Sequence, residues 1–152
     1  MNRRRRKKLS GKLVEAAAFQ EVGTVRALVR AGADPNDADT HGTTPLYAAA
    51  VGGAVEIVAC LLEAGALPDV ESRDLTDGTP LCAAAAWGHA DVVRQLLAHG
   101  ADPDLREDDG EGRSPLEWAR NGQHAKTAEL LLAAGAQNSD ETVRAAATPA
   151  GW

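Results

Sequence analysis

The chain has 152 residues, enough for one domain with its own core. Apolar residues make up 44% but aromatic residues only 3%, so the core must be built from small side chains, alanine above all. The net charge is −6, no run of about 18 apolar residues crosses a membrane, and two cysteines without a C-x-x-C pattern exclude a disulfide framework.

Residues 1–8 form a basic arm, with Arg3, Arg4, Arg5, Arg6, Lys7 and Lys8 in a row. The arm reads as a disordered, solvated tail. Its functional alternative is a contact with nucleic acid or another acidic surface. Lys12 and Glu15 interrupt any apolar stretch behind the basic head, so no secretion signal follows. The expected location is the cytoplasm, which also fits the cysteine usage.

Residues 9–32 read as a pair of short helices whose apolar face is Val14, Ala17, Ala18, Val22, Val25, Leu28 and Val29. The next pair opens at Thr44-Pro45-Leu46 and closes at Gly65, with Val55, Val58, Leu61 and Leu62 inward. The third runs from Thr79-Pro80-Leu81 to Gly100. Gly88 is predicted left-handed between its helices, and Val92, Val93, Leu96 and Leu97 make one face. The fourth opens at Ser114-Pro115-Leu116, where Glu117 can complete a capping box, and closes at Gly135. The opening residue supplies an N-cap, and proline takes the first helical position, where its missing N–H costs nothing. Helices this short are not stable alone, because nucleation is costly. Each pair therefore needs copies beside it. Opening residues recur 35 apart, closing glycines 33, 35 and 35 apart, so length varies only in the loops.

The pattern T-P-L-x-x-A-A, then G-H, then V-V-x-x-L-L-x-x-G-A-D-P resembles the ankyrin repeat family. The resemblance covers about residues 9–137 as four repeats, near 9–38, 39–73, 74–108 and 109–137. It implies an all-α solenoid of stacked helix-turn-helix units with finger loops, non-enzymatic, binding a protein through a groove made by finger tips and first helices. Three features depart from the pattern. Gln123 stands at the fourth turn glycine, Tyr47, Cys82 and Glu117 replace the usual histidine, and two loops carry two extra residues. Residues 138–152 leave the repeat phase and read as a tail or partial cap, with one short helix from Ser139 through Ala147. A monomer is expected.

Chemistry for catalysis, metal or cofactor binding is absent from the pattern. His41, His89, His99 and His124 have no partner at ligand spacing, and His89 and His124 occupy the repeat's turn. The acidic loop around Gly110 fails as a calcium site, because Leu116 stands where the bidentate glutamate belongs. Charge is instead concentrated in the loops. Loop 34–43 holds Asp34, Asp37 and Asp39. Loop 66–78 holds Asp69, Glu71, Asp74 and Asp77 against Arg73. Loop 101–113 holds Asp102, Asp104, Glu107, Asp108, Asp109 and Glu111 against Arg106 and Arg113. Parallel loops of one sign favour a basic partner and disfavour nucleic acid except at the arm. Phe19, Gly52, Trp87 and Gly122 share one column at the ends of the first helices, which in the family lines the groove. Trp87 is either a binding anchor or a filler of the alanine-rich layer, and Trp118 fills space beside the last repeat. The residues expected to touch a partner are His41, Thr43, Arg73, Leu75, Thr76, Trp87, Asp108, Asp109, Glu111 and Arg113.

Overall fold

A computed structural model describes residues 2–73 and 78–138. Leu75, Thr76 and the helix expected after Ser139 lie outside the described residues. The helices come in pairs: α1 (Arg3–Ala18) with α2 (Val22–Arg30), α3 (Pro45–Val51) with α4 (Val55–Glu63), α5 (Pro80–Trp87) with α6 (Ala90–Ala98), and α7 (Pro115–Asn121) with α8 (Ala125–Ala133). The first helices of the pairs pack side by side in one layer, and the second helices form the other. Among the described residues there is no strand, only one bridge, Ser72 to Gly78, in a finger.

The expected caps close the helix starts. Thr44, Thr79 and Ser114 accept from the backbone N–H three residues on, at 3.2–3.3 Å. Glu117 returns a bond from the Ser114 N–H at 3.1 Å, completing the capping box. The leucine after each proline, with Leu13 in the first pair, forms a fully buried row: Leu13, Leu46, Leu81 and Leu116. A second row, Leu61, Leu96 and Leu131, is fully buried on the other layer. Alanines at 49, 50, 84, 85 and 119 lie between them without exposed surface, which lets such short helices stack closely.

The turn between the helices of each pair is left-handed at Gln20, Gly53, Gly88 and Gln123, with φ of 59°, 67°, 72° and 58°. Glycine is required at only two of these, and the reason lies in the following repeat. His89 Nε2 sits 3.0 Å from the Val51 carbonyl oxygen, and His124 Nε2 sits 3.0 Å from that of Ala86. A Cβ at Gly53 would lie 2.7 Å from the His89 ring, and one at Gly88 would lie 2.5 Å from the His124 ring. After Gln20 the histidine column of the next repeat holds Ala54, and the Gln20 side chain itself donates to the Gly52 carbonyl at 3.1 Å; no described repeat follows Gln123. The departure at Gln123 therefore leaves the turn geometry intact.

The arm differs from expectation. Arg3–Lys8 are helical, as the first turns of α1, with Asn2 as the N-cap. Arg6 donates to both carboxylate oxygens of Asp37, at 2.6 and 2.7 Å, and to Asp34 at 3.2 Å. Ser10 donates to Asp37 at 3.1 Å. The Arg6 hydrogen bond holds the Asp37 carboxyl below its ordinary range. A lowered carboxylate contributes stability above its unfolded pKa and loses it as pH falls through the folded value. Arg6→Ala should speed trypsin cleavage within residues 3–8 and leave the melting temperature of the stack nearly unchanged. Lowering the pH of the unmutated protein through the Asp37 transition should reproduce that local loosening. Equal cleavage rates for both proteins at pH 7 would show that the contact does not hold the arm.

Candidate functional site: groove and finger loops

Each inter-repeat loop is held by the one after it. The side chains of Asn36, Asp69 and Asp104 accept from the backbone N–H of Leu67, Asp102 and Gln137, at 2.7–3.2 Å. Asp39 caps its own finger through the N–H groups of His41 and Thr43. Neighbouring fingers also join. The Arg73 N–H bonds the Gly42 carbonyl at 3.0 Å, and the Asp108 N–H bonds Glu71 Oε1 at 2.8 Å. The Arg73 guanidinium reaches Asp109 at 2.9 Å and Glu71 at 3.8 Å. Many loop acids thus fix the loops themselves, which is the commonest use of aspartate in turns.

The groove runs over the first helices. Its central part is walled by Trp87 of α5 and Trp118 of α7, with Tyr47 of α3 and Glu107 of the third finger, and Ala83 and Ala86 line it with them. Trp87 is 64% exposed, so it does not fill the alanine layer. Phe19, in the same column, is 73% exposed. Trp118 is half-buried: its indole N–H donates to Glu107 at 2.8 Å, and the Arg113 guanidinium lies 4.8 Å over its ring. It is a wall of the groove as well as a filler. Burial pushes the Glu107 carboxyl above its ordinary range, opposed by the Trp118 hydrogen bond and reinforced by Glu71. Cys82, buried behind this wall, is raised strongly by desolvation and so remains a neutral thiol.

The family model described as "Ankyrin repeats (3 copies)" matches residues 13–107 and 67–142. The chain belongs to the ankyrin-repeat family. No curated protein matches it. Ankyrin repeats are in general protein–protein interaction modules, and the all-α repeat fold agrees with the pairs and layers described above. Among the described residues, no helix is long and apolar enough to cross a membrane and no cluster of side chains could hold a metal ion.

Against this ankyrin frame the expected contact residues divide. His41, Arg73, Asp108, Asp109, Glu111 and Arg113 are exposed on the fingers, and Trp87 is exposed in the groove. Thr43 differs from these: it is buried at the base of the first finger, where its N–H donates to the Asp39 carboxylate and its carbonyl accepts from the Asp39 N–H. Arg73 and Asp109 join two fingers through their ion pair. Glu107 was not among the expected residues. A signal existed in the repeat phase: Asp37, Ser72 and Glu107 each stand seven residues before the cap of their repeat, and each is engaged by polar contacts at a finger base.

Proposed function

We propose that this ankyrin stack is a non-enzymatic module that binds a protein segment carrying basic residues, laid across the groove of the second to fourth repeats. The observation that carries the reading is Trp87, a large apolar side chain left mostly exposed beside small neighbours at the centre of the groove. Such an aromatic, once covered, supplies much of the binding energy. The surplus of acids along the fingers would steer a basic segment inward, which mainly raises the association rate.

Two variants should separate these roles in surface-plasmon kinetics with Lys/Arg-rich peptides that carry apolar residues. Trp87→Ala should leave association nearly unchanged and speed dissociation, with a loss of about 2 kcal/mol or more. Neutralising Asp108 and Glu111, to Asn and Gln, should slow association and weaken its dependence on salt. These two acids are chosen because Asp109 is already occupied by Arg73. Peptides of neutral charge that bind as fast and as tightly would remove the electrostatic part of the reading. A Trp87→Ala protein with lowered stability and unchanged dissociation would remove the anchor.

A second reading, contact with nucleic acid through residues 1–8, draws support from the exposed Arg3, Arg4, Arg5, Lys7 and Lys8 on the first turns of α1. Salt-dependent binding of a DNA duplex that disappears when these five residues are replaced by Gln would favour it.

A further inference from the structure

Resting on the groove reading above, one part of the groove has a more specific chemistry. Three of the chain's few aromatic side chains, Tyr47, Trp87 and Trp118, line the same pocket, which has a volume of about 380 Å³. That is near the lower end of the roughly 300–1,000 Å³ typical of small-molecule sites, a size suited to one long side chain. A fourth lining group is the half-buried carboxylate of Glu107. Its side-chain partners are neutral, the indole N–H of Trp118 and the thiol of Cys82, and among the described residues no lysine, arginine or histidine pairs with it. A carboxylate drawn out of water without a cation gains most from receiving one. Aromatic faces attract a cation through their quadrupoles, and the Arg113 guanidinium over Trp118 shows this ring already accepting one.

We infer that the pocket between Trp87 and Trp118 takes the cationic end of a lysine or arginine side chain from a bound protein, with Glu107 as its counter-charge. Ala83 and Ala86 leave room for the aliphatic stem beside Trp87. The inference turns a general preference for basic segments into a requirement for one cationic residue at one register of the groove.

The test uses the full chain and single-residue probes. N-acetyl-arginine amide, N-acetyl-lysine amide and the neutral isosteres N-acetyl-citrulline amide and N-acetyl-norleucine amide are titrated while the indole N–H signals of Trp87 and Trp118 are followed by NMR. The cationic amides should give saturable shifts at both indoles, and the neutral ones should not. Whichever cation saturates at lower concentration identifies the preferred side chain. Glu107→Gln keeps an acceptor for Trp118 and should weaken the cationic probes about tenfold, as expected for loss of a charged hydrogen-bond partner. Trp87→Ala should also weaken them. Citrulline binding as tightly as arginine, or an unchanged affinity in Glu107→Gln, would overturn the assignment. If the amides do nothing while basic peptides still bind in a Trp87-dependent manner, the pocket falls and the groove reading stands. If neither binds, both fall.

Discussion

Leu96→Ala should destabilise the protein by about 2–5 kcal/mol, the usual cost of a cavity at a fully buried leucine. Leu96 has no exposed surface, and its helix α6 packs against both α4 and α8. The cavity would therefore open at the centre of the second-helix layer, where three repeats meet. Repeat arrays are coupled through nearest-neighbour interfaces, so the loss should appear either in the whole transition or as a split at this layer. Urea denaturation followed by circular dichroism measures it. A change below about 0.5 kcal/mol would be that of an ordinary surface substitution and would contradict the packing.

Gly88→Ala should cost nearly as much for a different reason. The position has φ 72°, where an L-residue is strained by roughly 1–2 kcal/mol. The added Cβ would also meet the His124 ring at 2.5 Å, forcing the ring from the Ala86 carbonyl and losing a hydrogen bond worth about 1 kcal/mol. A double-mutant cycle separates the two contributions. With His124→Ala in the background, Gly88→Ala should retain only the backbone cost, because Gln20 and Gln123 already adopt the same conformation where no histidine presses on them. Strict additivity of the two substitutions would show that the ring contact does not limit this position.

The repeat, its caps and its core rows were legible in the sequence because each is a local signal copied at fixed spacing. Thr79, Pro80 and Leu81 state their roles within three residues, and the column shared by Phe19 and Trp87 follows from counting. What was not legible rests on contacts between loops or between distant positions. The helical arm meets the first finger through Arg6 and Asp37, 31 residues apart, although the spacing of Arg6, Ser10, Leu13 and Ala17 already continued the helix phase of α1. Thr43 looked like a finger residue by position, but the Asp39 bonds that tighten the finger bury it. Glu107 looked like one more loop acid, and only its bond to Trp118 places it in the groove wall.

The pairing of a turn glycine with the histidine of the following repeat sets a rule of grammar for lengthening or shortening the array. Each histidine reaches back to the preceding unit, so the residue allowed at a turn is decided by what comes after it, and a unit cannot be spliced in without regard to its successor. A fifth unit appended beyond α8 with histidine in that column would drive its ring into the side chain of Gln123. Such a graft would need Gln123→Gly first, or else a successor that carries alanine in the column, as Ala54 does in the repeat after Gln20.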